Sequence, residues 1–224
     1  MNAESAKPDY ALPRQTNYET ALGLGRERLS RLDFAEQCRR AAAEIAADSA
    51  LIPFIDRRYR LDRATLAVTP ADGGALPEAW EEIILLHYLA AATGAAPSGE
   101  LITYRQIPDG APYYGPFNRR TVAILLAAFD RRLPELPAAA VRLGGREVPG
   151  HGDFAFAIRA LPRVEYLFAG WFGDDEFPPE LRVLFDRGIV AYLPAEDITV
   201  LGQMICLKLV RLGRAPAPDL PRRP

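Results

Sequence analysis

The densest run of carboxylates in the chain is GDDEFPP, Gly173 to Pro179, and two kinds of chemistry use such a run. Adjacent carboxylates in a loop can bind a hard divalent cation such as magnesium or calcium, or raise one another's pKa for acid–base work. Asp175 and Glu176 are the candidate ligands, and Asp186, Glu196 and Asp197 could join them in space. A structural explanation competes: acids flank helix starts because the positive end of the helix dipole favours them, and both acidic clusters sit beside prolines able to open a helix.

His87 is one of 2 histidines and falls on the apolar face of a predicted helix, one turn from Ile84 and Ala91. A metal or tetrapyrrole ligand has this placement, and so does a core histidine bonded to a backbone carbonyl. His151 stands between glycines in a predicted loop, where it could swing over a site or decorate the surface. Neither histidine belongs to an HExxH pattern or to a deaminase zinc signature, so those metal chemistries have no support. Tyr104, Tyr113, Tyr114 and Phe117, followed by Asn118, Arg119 and Arg120, could stack a flat ligand and grip its carboxylates or phosphates; alternatively the rings pack on the core and the arginines face water. Arg57, Arg58 and Arg60 read as a solvated strand edge. There is no GxSxG elbow, no phosphate-loop motif and no GxGxxG opening a helix after a strand. Cys38 and Cys206 lie far apart without a CxxC pair, so the chain is expected to hold no iron-sulfur cluster of its own.

The elements that must position these residues form an α+β pattern. Helical spacing over residues 17–48 predicts one helix, or two broken near Gly23 and Gly25. Residues 51–70 predict a β-hairpin, and Pro77 with Glu78 opens a helix that ends near Gly94. Residues 95–116 read as loop, apart from one helical turn that Thr103 can cap; the tyrosines 113 and 114 belong to this loop. A helix follows from Asn118 to about Arg132, then a hairpin turn at LGGR within 141–148. Phe154, Phe156 and Ile158 alternate as a half-buried strand, and 164–172, apolar on both faces, is expected at the centre of an antiparallel sheet. PPELRVLF is read as a short helix, 188–193 as a third strand, and Pro194 as the opening of a buried final helix. Helices come first and last with hairpins between them, without βαβ alternation, which gives an antiparallel sheet with hairpins packed against N-terminal, middle and C-terminal helices.

With 224 residues, 49% hydrophobic and 25% charged, one domain over 17–212 is expected, between a flexible arm at 1–16 and a disordered Pro/Arg tail at 213–224. A formal net charge of -2 and a pI near 5.8 disfavour nucleic acid as a partner. The polar, proline-broken start is no signal peptide and no segment reaches the roughly 20 apolar residues of a membrane span, so a cytoplasmic location without membrane contact is expected.

Four stretches, IILLHYL from Ile83, SGELITYRQIP from Ser98, the GDDEFPP loop, and LFDRG from Leu184 with YLPAEDI from Tyr192, resemble in order and spacing the prokaryotic domain of unknown function 3786. The resemblance runs from about Tyr18 to Leu212 and carries over His87, Tyr88, Glu100, Tyr104, Asp175, Glu176, Phe177, Asp186, Glu196 and Asp197 as candidate site positions. It implies company with iron-sulfur and corrinoid proteins of anaerobes, hence a cofactor- or partner-binding accessory protein linked to corrinoid, tetrapyrrole or redox metabolism. The cofactor set would be His87, Tyr88, Tyr104, Tyr113, Tyr114 and Phe177, in a pocket between the tyrosine loop and the acidic loop. The alternative is an enzyme in which Asp175, Glu176 and Asp186 hold a divalent metal. A third reading treats the acids as helix caps in an interaction module.

Overall fold

The computed structural model describes residues 18–214; the expected arm and all but the first two residues of the expected tail lie outside that span. Among the described residues the chain forms α1 (Tyr18–Ser30), α2 (Phe34–Arg40), β1 (Glu44–Ile45), β2 (Ser49–Phe54), β3 (Arg57–Asp62), β4 (Val68–Pro70) and α3 (Ala79–Ala91). It continues through β5 (Leu101–Thr103), α4 (Gly110–Arg120), α5 (Val122–Phe129), α6 (Leu136–Arg142) and β6 (Arg146–Glu147). The remaining elements are β7 (Phe154–Leu161), β8 (Val164–Trp171), β9 (Glu180–Asp186) and α7 (Ala195–Arg214).

The class is α+β, with two antiparallel sheets rather than one: β1-β2-β3-β4 and β5-β9-β8-β7-β6. β8 holds the centre of the larger sheet, as its two-sided apolar pattern requires. Its Tyr166 and Phe168 enter the main core beneath α7, whereas Leu167 and Ala169 point to the opposite face and join a small apolar cluster with Ala155. α7 is nearly enclosed, and the buried Tyr166 hydroxyl donates to the Ile198 carbonyl at 2.7 Å, tying helix to sheet. α3 packs on α1 at Gly25, where an added Cβ would stand 3.2 Å from Leu86 Cβ; the small residue permits that approach without ending the helix.

Several expected elements differ. α1 runs through Gly23 and Gly25, and the break falls before Asp33, whose carboxylate caps α2 by accepting from the Glu36 N–H at 3.0 Å. The LGGR segment ends α6 instead of turning a hairpin: Gly144 has φ +81° and the Gly145 N–H donates back to the Ala140 carbonyl. The helix expected from Asn118 to Arg132 starts earlier and is interrupted at Thr121, so Tyr113 and Tyr114 are helical, not loop. PPELRVLF is not a helix. Leu181, Val183 and Phe185 alternate inward along β9, which pairs with β8 from Trp171↔Glu180 to Leu167↔Leu184. The predicted strand at 188–193 is instead a 3-10 helix, Arg187–Ala191, capped by the Asp186 carboxylate on the Gly188 N–H.

Candidate functional site

α7 begins at Ala195 after Pro194, and its first turn carries Glu196 and Asp197, acids that the helix dipole favours there. Successive residues on a helix diverge by about 100°, so the two carboxylates face different surroundings. Asp197 is buried and meets the half-buried His87 of α3, with Nδ1 of the ring 2.7 Å from Oδ2 of the carboxylate. This hydrogen bond, with the charges of Asp197 and Glu196 behind it, raises the His87 pKa above its ordinary value against burial and the charge of Arg28. Nδ1 is thereby fixed as the donor and Nε2 is left as the second ring nitrogen.

Glu196 turns instead toward an open cleft of about 460 Å³ between the start of α7 and the tyrosine-bearing helix α4. Tyr104, Asp109, Tyr113, Arg120, Glu196 and Thr199 supply its aromatic and polar walls. Tyr104 is placed by the single 3-10 turn Tyr104–Gln106, which Thr103 opens as expected, with the Thr103 N–H donating to the Gln106 side chain at 2.8 Å. Its ring stacks on Phe117 at 4.0 Å between centroids. Its hydroxyl donates to the Ala195 carbonyl at 3.0 Å and accepts from the Thr199 hydroxyl at 2.8 Å, binding the turn to the first turn of α7. Burial raises the Tyr104 pKa, against the Thr199 hydrogen bond. Tyr113 is 60% exposed, so its ring presents a face to anything entering the cleft.

Tyr114 lies on another side of α4, where Arg105 stands 3.8 Å over its ring and a smaller cleft of about 210 Å³ runs toward Glu180 and Arg182 at the start of β9. The six residues of the expected cofactor set therefore do not share one wall. Tyr88 is enclosed in the core: its hydroxyl donates to the Ala41 carbonyl at 2.6 Å and accepts from the Arg163 N–H at 3.1 Å. Phe177 is 67% exposed in the acidic loop, and His87 is not among the residues lining the larger cleft.

In the acidic loop, Asp174 accepts from the Glu176 N–H at 2.9 Å and the Phe177 N–H at 2.7 Å, closing an Asx-type turn that holds its carboxyl below the usual range. Asp175 and Glu176 are exposed beside it. Asp186 has a fastening role: it accepts from the Ser98 N–H and hydroxyl and from the Gly99 and Gly188 N–H groups. Burial raises its pKa, but these donors outweigh it and hold the carboxyl below its ordinary value. Glu100 pairs with Arg187 through two contacts of 2.5 Å. Among the described residues, no group of three His, Cys, Asp or Glu side chains could hold a metal ion. Replacing Asp186 by alanine is expected to cost about 2 kcal/mol, the upper range for a helix cap, and to loosen residues 95–99; urea denaturation with hydrogen exchange at Ser98 and Gly99 would read both.

The residues missed in the sequence are Thr199 and Asp109. Thr199 sits one turn along the buried helix from Ala195, a spacing that could have aimed it at the same surface as Glu196. Asp109 shows only as the breaker in the PDG run, and its left-handed backbone, φ 60°, needed the structure to be seen.

The cleft, the tyrosine turn and the His87–Asp197 pair all fall within residues 33–208, which match the domain of unknown function 3786. The chain belongs to that family. No curated protein and no solved structure matches it.

Proposed function

We propose that the protein is a cofactor- or partner-binding accessory protein whose ligand lies in the cleft between α4 and the first turn of α7. The observation that carries this reading is the cleft itself: two tyrosines, one with its ring largely exposed, beside an arginine and two carboxylates, in a volume within the roughly 300–1,000 Å³ of small-molecule sites. A flat ligand would stack on Tyr113, while Arg120 would meet its anionic groups and Asp109 and Glu196 its donors. The finer form of the proposal is a corrinoid or another tetrapyrrole, exchanged in the cytoplasm with an iron-sulfur or corrinoid protein. The two carboxylates suit the amide-rich rim of a corrinoid, since they accept from amide N–H groups. His87 does not line the cleft, so it would not be among the residues that hold such a group there. The alternative, an enzyme built on a carboxylate-held metal, would have to use fewer than three such ligands from the described residues.

Thermal-shift titration with hydroxocobalamin and haemin tests the reading. One of them should raise the Tm in proportion to the logarithm of its concentration. Tyr113→Ala and Arg120→Ala should each weaken that binding by about tenfold, the loss of one stacking or charge-assisted contact. A Tm that neither compound moves removes the tetrapyrrole form, and an unchanged affinity in both variants removes this cleft as the site.

A further inference from the structure

The outer face of the five-stranded sheet carries a second cleft, of about 300 Å³, whose chemistry differs from that of the tyrosine cleft. Its floor is apolar: Leu167 of β8 pairs directly with Leu184 of β9. Three arginines, Arg146, Arg159 and Arg163, surround it. Two carboxylates, Glu165 and Asp186, stand against them. Glu165 is shared, accepting from Arg146 at 2.6 Å and Arg159 at 3.3 Å. Asp186 also lines the cleft; its four hydrogen bonds come from neutral donors of the 98–99 loop and Gly188, so it keeps its charge while its oxygens are occupied. Among the described residues no carboxylate pairs with the Arg163 guanidinium. Three arginines against two carboxylates leave the cleft with one positive charge in excess, and the Arg163 guanidinium stands without a carboxylate partner beside the apolar floor.

The walls are also held in place from beneath. The β7–β8 turn is fixed by the Arg163 N–H on the hydroxyl of the buried Tyr88, and the opposite wall by the Tyr192 hydroxyl donating to the Ala95 carbonyl. The two tyrosine rings lie 5.8 Å apart in the core. Core tyrosines that anchor both rims of a surface cleft reduce the ordering cost of filling it.

We propose that this cleft is a ligand site of its own for an organic anion, with a carboxylate or phosphate head between Arg159 and Arg163 and a short aliphatic body on Leu167 and Leu184. Guanidinium groups match both heads through paired N–H donors, and the leucines favour an alkyl chain over a free ion. The site stands apart from the tyrosine cleft, so the two proposals can fail separately.

Isothermal titration of the full chain with octyl phosphate, octanoate and octan-1-ol is the test. At least one of the two anions should bind about tenfold or more tighter than octan-1-ol, the worth of a hydrogen bond to a charged group; comparison of the two anions identifies the head. Arg163→Ala alone, and Arg159→Ala with Arg163→Ala, should weaken that anion about tenfold or more. Both side chains are exposed, so the Tm should hold. Tyr113→Ala should leave this binding unchanged. Binding of octan-1-ol as tight as either anion, no binding of any probe, affinity unaltered by the arginine substitutions, or a loss caused by Tyr113→Ala would each overturn the assignment.

Discussion

Replacing Gly110 by alanine is expected to destabilise the protein by about 3 kcal/mol, the upper range for inserting a methyl group into a packed site. A Cβ on Gly110 would stand 2.0 Å from the Tyr104 carbonyl oxygen and 3.1 Å from its carbon, both backbone atoms that no rotamer change can move away. Gly110 is also held close, since its N–H donates to the Ile107 carbonyl at 2.8 Å. Either α4 or the 3-10 turn must therefore shift. These two pieces carry Tyr113 and Tyr104, so the cleft should lose its geometry along with the stability. Urea denaturation would give the first effect. A loss of hydroxocobalamin or haemin binding larger than that of Tyr113→Ala would give the second. A variant as stable as the parent would mean that the turn and the helix are not in this contact.

Asp197→Ala is expected to cost about 2 kcal/mol below neutral pH. Removing one partner of a buried pair costs roughly 3–5 kcal/mol when the other charge is stranded, but His87, 31% exposed, can shed its proton and soften the loss. The direction of the pH dependence follows from the raised pKa of His87. A histidine whose folded-state pKa exceeds its unfolded value contributes stability that is complete below the unfolded value, near 6.5, and disappears as pH rises through the higher folded value. The parent and the Asp197→Ala variant should therefore differ most in the acidic part of that range and converge above it. Unfolding free energies measured from mildly acidic to alkaline pH would show the convergence. A gap that widens with rising pH would contradict the assignment of Asp197 as the cause of the shift.

Much of this arrangement was legible from residue types. The central strand β8 announced itself through apolar residues on both faces, and the capped turn at Thr103 through its own side chain. α7 was readable from Pro194 onward. The difference between the helix expected at β9 and the strand found there has a definite cause: two prolines followed by an acid mimic a helix start and mask the period-two alternation of Leu181, Val183 and Phe185. Pairing with β8 over Glu180 to Leu184 decides the matter, and pairing is a tertiary fact. The loop expected over 95–116 takes in Tyr113 and Tyr114, whereas α4 runs from Gly110 and accommodates Pro116 within it.

The candidate site was legible in its parts and not in its grouping. His87 and Asp197 were both marked, but nothing in the sequence says that two residues on different helices meet at 2.7 Å. The tyrosine and acidic segments looked like two walls of one pocket. In the structure the wall facing Tyr113 comes from Glu196 and Thr199 of α7, while Asp174 folds the acidic loop onto its own backbone. Asp186 resembled a metal ligand because a carboxylate that binds four donors and one that binds a cation have the same one-letter code. Burial and partners separate them.

Whether the cleft at the start of α7 receives the ligand can be read from NMR of ring-¹³C tyrosine protein during titration with hydroxocobalamin. Saturable shifts are expected for Tyr113 and, more weakly, Tyr104, with the enclosed Tyr88 and Tyr166 unmoved. Spectra in which Tyr113 stays at its free position while the protein is saturated with the compound would contradict it.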